Sequence, residues 1–369
     1  MLSDHVPDNN RPADEEVPGP AGAAPITVKQ EGGLDFRLRR GALSGGRSPE
    51  ASERQRVSSL ARRAGPRWLR ALLMDRKAAL GLAILLFFIL VAIFGPLIWR
   101  GDPMASDYTA RPQQPPSAAH WFGTDQQSHD VFLQMVYGTR SSLALGFSIG
   151  ALATLLGVLV GMSAGYFGGW VDEILSLLTN IVLVIPSLPL IIVLASWVQV
   201  KNDVPIIAII GLTSWAWGAR VLRSQTLTVR RKDFVLAAQV SGEAGWRIVL
   251  GEVLPNMTSL VVSGFIGTTV FAIGAAAGLY FLGFGNLSGV NWFTILYWAQ
   301  NSSALQTGAW WTFVIPGAAV ALVGTALSLI NFGIDQISNP RLRTEKVKKA
   351  ARVAREPMPV AAAGKVSAR

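Results

Sequence analysis

The chain of 369 residues contains no cysteine and only three histidines. Without cysteine, the sequence has no disulfide framework, no thiolate nucleophile and no cysteine-based metal site. The histidines, His5, His120 and His129, form neither an HExxH motif nor any other metal-binding spacing. We therefore expect no metal site in this chain.

A phosphate-binding loop is missing as well. The one Gly-Lys pair, Gly364 and Lys365, is followed by Val366 instead of the Ser or Thr that would bind magnesium. Paired carboxylates inside an apolar run, which an intramembrane acid-base enzyme or a proton-coupled carrier would use, are also absent. These absences predict a non-enzymatic chain without a cofactor of its own.

Charged residues are scarce and unevenly placed. They make up 15% of the chain, against 50% hydrophobic residues, and none occurs between Val253 and Ile334. One charge at the centre of a bilayer costs roughly 2.5 to 3.5 kcal/mol on insertion scales, so a membrane explains such a run better than a soluble core does. The net charge of +10 does not indicate a nucleic-acid partner, because the basic residues are not interleaved with aromatic ones.

Six apolar runs are long enough to cross the membrane, so we predict an all-α membrane protein with six transmembrane helices. The predicted spans are 78–99, 143–165, 174–198, 204–222, 258–283 and 311–334. Pro186 and Pro189 interrupt the third span and predict a kink there, because proline removes a backbone hydrogen bond.

Lys and Arg residues predict the orientation. Of these 33 residues, 29 lie in segments that alternate on one side of the six spans, including both tails and the loop between spans four and five. The positive-inside rule therefore places both termini in the cytosol. We divide the chain into a disordered tail (1–65), a transmembrane domain (66–343) and a disordered basic tail (344–369). Basic residues within 62–77 predict either a positive-inside anchor for the first span or contact with anionic lipid headgroups.

The loop that joins spans four and five contains a polar-flanked segment, which we call the 233–256 loop. Asp233 is a candidate N-cap, and Gly242 suits the left-handed residue that ends a helix. Between them, four residues share one helix face at the spacing i, i+3, i+4 and i+7: Phe234, Ala237, Ala238 and Ser241. Trp246, Val249, Leu250 and Val253 repeat this spacing, and Pro255 is expected to end the second helix.

This loop resembles the EAA loop of bacterial ABC-importer permeases, whose pattern is E-A-A-x3-G-x9-I-x-L-P. The matching residues are Ala237, Ala238, Gly242, Leu254 and Pro255, while Leu236 replaces the usual Glu and Glu252 replaces the usual Ile. The resemblance implies a cytoplasmic coupling helix that sits in a groove of an ATPase subunit, with Phe234 and Trp246 as packing anchors. The alternative is an ordinary helix end that packs on its own protein.

A second motif narrows the resemblance to the dipeptide, oligopeptide and nickel group of these permeases. Gly123, Thr124, Asp125 and Asp130 fit its GTDxxGRDVF signature, with Ser128 and His129 in place of Gly and Arg. The stretches 165–172 (GYFGGWVD) and 186–188 (PSL) are similar to two further motifs of the same group. Together these motifs extend the resemblance over 68–343.

Two sets of side chains leave alternatives open. The aromatic residues of 284–310 and Trp311 predict either a membrane-interface belt with a short interfacial helix or a surface that stacks on a sugar or peptide. Polar residues within the spans predict either a transport path or modest helix-helix hydrogen bonds. The candidate path residues are Asn180, Ser187, Thr213, Thr268 and Asn331.

The resemblance implies one permease subunit of an ATP-driven importer in a bacterial cell membrane. It implies a second, homologous permease subunit, two ATPase subunits that bind ATP and magnesium, and an extracytoplasmic binding protein that delivers dipeptides or oligopeptides. An importer of oligosaccharides or nickel complexes is the alternative within this class. A secondary transporter is a different possibility, but it predicts buried ionisable residues or an inverted repeat, and the sequence has neither.

Overall fold

The computed structural model describes residues 75–198 and 202–338, apart from the side chains of 337 and 338. The two tails that we expected to be disordered, 1–65 and 344–369, lie outside these residues. The helices are α1 (Arg76–Ile98), α2 (Val131–Phe167), α3 (Gly169–Val184), α4 (Ser187–Trp197), α5 (Val204–Val229), α6 (Asp233–Val240), α7 (Gly245–Ile248), α8 (Leu254–Asn256), α9 (Thr258–Phe281), α10 (Trp292–Asn301) and α11 (Trp311–Ser338). A π-helical turn, Val249–Val253, joins α7 to α8.

In the part of the chain that the structure describes, five helices are long and apolar enough to cross a membrane: α1, α2, α5, α9 and α11. The pair α3 and α4 meets the same criterion only when taken together, and its 86° bend fits either a broken span or a re-entrant loop. Within the described residues there are no strands, only two isolated β-bridges. The fold is therefore the all-α membrane fold that the sequence predicts, with five continuous candidate spans, or six if the bent pair is one span.

The break in the third span follows from proline. Ile185 and Pro186 have extended backbones, with ψ values of 125° and 121°. The residue before a proline disfavours the α conformation, so α3 ends there. Pro189 lies in the first turn of α4, where the missing N–H has no helical partner to lose. The predicted kink is confirmed, and the 86° bend is sharper than a kink within one continuous helix.

Helix α2 is longer than predicted. It begins at Val131, twelve residues before the predicted start at 143, and its 37 residues extend over about 55 Å. The carboxylate of Asp130 caps it by accepting hydrogen bonds from the backbone N–H groups of Phe132 (2.8 Å) and Leu133 (3.3 Å). Hydropathy misses this first part because Gln134 and Arg140 lower it.

Small residues place α2 at the centre of the bundle. A Cβ atom built on Gly165 would lie 2.7 Å from Thr226 Cβ, and one on Gly146 would lie 2.6 Å from Ile273 Cγ1. Neither position therefore has room for a side chain, so α5 packs closely against one side of α2 and α9 against another. Such close approach at small residues is typical of membrane helices.

Two aromatic residues of 284–310 lie in the protein core and not in the expected interface belt. The short helix is confirmed as α10, but Trp292 and Phe293 are each only 1% exposed. The Trp292 ring lies 5.3 Å from that of Phe88, and its Nε1 donates to the carbonyl of Met135. The belt prediction is wrong for these two residues because α10 packs into the protein core.

Candidate functional site

The first helix of the 233–256 loop begins differently from the prediction. Lys232 is the N-cap, with an extended backbone and no side-chain cap, and Asp233 is the first helical residue. The Asp233 N-cap assignment is therefore wrong. A carboxylate in the first turn still interacts favourably with the helix dipole, so the acidic residue suits this end.

Gly242 ends α6 as predicted. Its φ is 77°, in the left-handed region. The N–H of Glu243 donates to the carbonyl of Ala238 and the N–H of Gly242 to that of Gln239, which is the Schellman arrangement. A Cβ on Gly242 would meet nothing within 4 Å, so the backbone conformation alone requires glycine.

The two faces of α6 differ in burial. Val235 is fully buried and packs in a small core cluster with Ile248, Val253 and residues of α2. The opposite side is exposed and apolar, and its larger side chains are Phe234 (40% exposed), Leu236 (46%), Val240 (89%) and, from α7, Trp246 (58%). Ala237 is exposed and Ala238 is half-buried. Packing of α6 on its own protein, which was the alternative interpretation, therefore accounts only for the face that contains Val235.

The second helix does not end at Pro255. It passes from α7 through the π turn into α8, and the break comes at Met257, where φ is −112°. The N–H of Leu254 donates to the carbonyl of Val249, five residues back. The wider turn accommodates the proline ring, which would otherwise clash with the carbonyl of Gly251. Leu254 is half-buried and Pro255 is exposed.

The GTDxxGRDVF-like residues hold the 101–130 segment onto the helices. Thr124 is fully buried, and its hydroxyl accepts from the N–H of Gln114 (2.8 Å) and donates to the carbonyl of Arg111 (2.9 Å). Gly123 has φ 72°, and a Cβ there would lie 2.7 Å from Trp311 Nε1. Gly123 and Thr124 therefore have structural roles in this segment.

Asp125 is the acceptor at the centre of this segment. Its Oδ2 lies 2.8 Å from Nδ1 of His129 and accepts from Nε2 of Gln134 at 3.0 Å. His129 thus occupies the place of the signature's Arg and still contacts the motif carboxylate. Ser128 has φ 59°, a conformation that explains why the signature has glycine at this position.

Asp130 and Asp107 flank His120. Oδ2 of Asp130 lies 3.0 Å from Nδ1 of His120, and Oδ2 of Asp107 lies 3.4 Å from Nε2. The hydroxyl and the backbone N–H of Thr109 hold the pKa of the Asp107 carboxyl below its usual range. Within 75–198 and 202–338, no group of three His, Asp or Glu side chains is arranged to hold a metal ion.

Four of the five candidate path residues meet at one cavity. The cavity has a volume of about 710 Å³, and its wall includes Ser187, Thr213, Thr268 and Asn331. We call it the polar cavity; α2, α3, α4, α5, α9 and α11 contribute to it. Asn180 does not line it; this residue is exposed, and its Oδ1 accepts a hydrogen bond from Nη2 of Arg220 (2.9 Å). Among the described residues, no Asp, Glu, Lys, Arg or His lines the polar cavity.

The polar side chains of this cavity are partly used in packing. Thr213 donates to the carbonyl of Ile209 in its own helix, and Ser263 bonds Asn331 across α9 and α11 (2.6 Å). Thr154 also lines the cavity, and its buried hydroxyl has no hydrogen-bond partner among the described residues. Sequence reasoning missed Thr154, because one threonine in an apolar helix gives no signal.

Comparison with known proteins identifies the family. The profile described as binding-protein-dependent transport system inner membrane component matches residues 157–344, just over half of the chain. A second profile, described as the N-terminal TM domain of oligopeptide transport permease C, matches residues 66–116.

Similar proteins align with about three quarters of this chain. A dipeptide transport system permease protein of Alkalihalophilus pseudofirmus is 33% identical over 274 residues, 73% of this chain and 88% of the relative. The corresponding values for a dipeptide permease of Bacillus subtilis are 31%, 74% and 85%, and for an oligopeptide permease of Mycobacterium bovis 30%, 75% and 94%. The chain therefore belongs to the family of inner membrane components of binding-protein-dependent transport systems.

Proposed function

We propose that this chain is the permease subunit of an ATP-driven importer of dipeptides and oligopeptides. The observation that carries this proposal is the exposed apolar face of α6 and α7, which lie on either side of the Gly242 turn. The relatives described above are named for dipeptide and oligopeptide transport. Apolar side chains that are exposed together in this way are typical of a surface that binds another protein.

The proposed occupant of this face is an ATPase subunit, with one such subunit for each of two permeases. ATP and magnesium bind there and not in this chain, which has no phosphate-binding loop. In this proposal Phe234, Ala237, Ala238, Gly242 and Trp246 contact the ATPase, and Leu254 and Pro255 hold the end of the loop.

The polar cavity is the proposed half of the transport path. Beside its hydroxyl groups it contains Trp217, which is 67% exposed, and Phe271, which is 40% exposed. A homologous permease subunit that covers these rings would complete the path. An extracytoplasmic binding protein then delivers the peptide at the opposite end from the 233–256 loop.

The proposed location is a bacterial cell membrane, with both termini and the 233–256 loop in the cytosol. The distribution of Lys and Arg supports this orientation. Basic residues within 62–77 then contact anionic lipid headgroups, and no nucleic acid is involved. An oligosaccharide or nickel-complex cargo is less favoured, because the relatives above are named for peptides.

Copurification from the native membrane tests the proposal. Cross-linked complexes are isolated through this chain, and their proteins and bound small molecules are identified by mass spectrometry. We expect a second permease, ATPase subunits and a binding protein that holds a peptide. A bound sugar or nickel complex would replace the cargo assignment only, whereas a chain that transports alone and without ATP would overturn the importer assignment.

A further inference from the structure

Tyr166, near the end of α2, contacts the 233–256 loop and the residues before it at three separate points. Its hydroxyl accepts a hydrogen bond from Nε2 of Gln239 in α6 (3.3 Å). The guanidinium carbon of Arg230 lies 5.8 Å from its ring centroid. Its ring also packs close to Gly245, since a Cβ atom built on that glycine would lie only 3.2 Å from Cε1 of Tyr166. Tyr166 is only 6% exposed, whereas Gln239 lies at the surface, so the hydrogen bond between them is part-buried.

These contacts link two parts of the chain that are not adjacent in sequence. The 233–256 loop continues directly from α5 and into α9, so any movement of the loop reaches those two helices through the backbone. Helix α2 has no such covalent connection. It meets the loop through side chains, chiefly Met162 and Tyr166 in the cluster that contains Val235 and Ile248.

Within that cluster Tyr166 alone adds a directional contact from α2. Packing between aliphatic side chains permits small sliding movements, whereas a hydrogen bond and a cation over a ring fix distance and direction. The tyrosine therefore holds α6 in one position relative to α2, in a way that Met162 does not.

Helix α2 also reaches the polar cavity. Thr154 lies twelve residues before Tyr166 in the same unbroken helix, a distance of about 18 Å at 1.5 Å per residue. A displacement applied at Tyr166 is thus carried along a rigid element to the cavity wall.

We propose that Tyr166 is a positioning residue that transmits displacement of the 233–256 loop to α2 and thereby to the polar cavity. This inference rests on the proposed function, since it assumes that an ATPase subunit moves the loop. Without the Tyr166 hydroxyl, the loop moves but α2 follows it less completely. ATP hydrolysis then continues while fewer peptides are imported for each ATP.

The test uses the complete complex in proteoliposomes, with its binding protein and a radiolabelled tripeptide. Import and ATP hydrolysis are measured in the same vesicles, and their ratio is compared between wild type, Tyr166→Phe, Gln239→Leu and the double variant. Tyr166→Phe keeps the ring over Arg230 and removes only the hydroxyl. The matched control is Tyr280→Phe, which removes a hydroxyl bonded to Asp203 (2.6 Å) far from the loop.

We expect peptides imported per ATP to fall about two- to tenfold in Tyr166→Phe, the range that one lost hydrogen bond allows. Gln239→Leu should give the same fall and the double variant no further fall, because all three remove one interaction. Tyr280→Phe should leave the ratio unchanged. An unchanged ratio in Tyr166→Phe, or an equal fall in Tyr280→Phe, would overturn the proposal.

The same assay distinguishes failure of the proposed function from failure of the role proposed for Tyr166. If the wild-type complex does not import the tripeptide or does not hydrolyse ATP in response to the binding protein, the peptide-importer assignment fails. If wild type does both and Tyr166→Phe behaves like wild type, only the role of Tyr166 fails.

Discussion

Asp172 and Arg223 form a two-point ion pair that joins α3 to α5. Nε of Arg223 donates to Oδ1 of Asp172 at 2.5 Å and Nη2 donates to Oδ2 at 2.6 Å, while Ser176 donates to the same Oδ1 at 2.9 Å. Bidentate pairs of this kind fix geometry as well as charge. The broken third span is therefore fastened to the helix that leads into the 233–256 loop.

Separating this pair should weaken the complex modestly. The Arg223 side chain is 36% exposed, so solvent screens the pair and its coupling energy should be about 1 kcal/mol or less. The measurement is a double-mutant cycle with Asp172→Ala and Arg223→Ala, read by thermal unfolding of the purified complex. Strictly additive losses would mean that the two side chains do not stabilise each other.

Gly242→Ala should destabilise the loop because alanine disfavours a φ of 77°. We expect a loss of roughly 1 kcal/mol in the free energy of unfolding and weaker stimulation of ATP hydrolysis by the binding protein. Gly251→Ala is the matched control, since Gly251 lies in the helical part of the same loop with open space around it. The control should be neutral or stabilising. Equal losses of stability and of ATPase stimulation in Gly242→Ala and Gly251→Ala would contradict a specific requirement for glycine at the end of α6.

Thr124→Val should loosen the 101–130 segment. Valine preserves the shape but leaves the N–H of Gln114 and the carbonyl of Arg111 without their partner, at a cost of about 1 to 3 kcal/mol. Thr124→Ser keeps the hydroxyl and should cost less than about 1 kcal/mol for the lost methyl. The measurement is the unfolding temperature of both variants. A higher unfolding temperature for Thr124→Val than for Thr124→Ser would refute the prediction.

Thr154→Val should separate stability from transport. The Thr154 hydroxyl has no partner among the described residues, so its removal should leave unfolding unchanged or raise the unfolding temperature. Thr139→Val in the same helix is the control, since it loses a 2.7 Å bond to the carbonyl of Met135 and about 1 kcal/mol. If the polar cavity conducts peptide, Thr154→Val should also raise the KM for uptake. An unaltered KM would count against a contact between Thr154 and peptide.

Much of the fold follows from local sequence. The apolar runs give the spans because a bilayer tolerates few charges, and Pro186 gives the break in the third span because it disfavours helix in the residue before it. Gly242 is likewise predictable, since a left-handed helix end requires a residue without a Cβ. These features depend only on residues that are close in sequence, so the sequence alone predicts them.

The errors arise where tertiary contacts decide. Hydropathy does not reveal that α2 begins at Val131, because Gln134 and Arg140 interrupt the apolar run and the start is set by the Asp130 cap. The burial of Trp292 depends on Phe88 and Met135, which are distant in sequence. Tyr166 belongs to a recognised motif, but its contact with Gln239 spans 73 residues, and no periodicity predicts such a pairing.

Uptake by the reconstituted complex tests the central claim most directly. Proteoliposomes that contain both permeases and the ATPase subunits are given binding protein and a radiolabelled tripeptide on the side opposite the nucleotide. The account predicts uptake that requires both ATP and the binding protein and that falls when the 233–256 loop is altered at Gly242. Tripeptide uptake that continues without ATP, or that is indifferent to the loop, would contradict it.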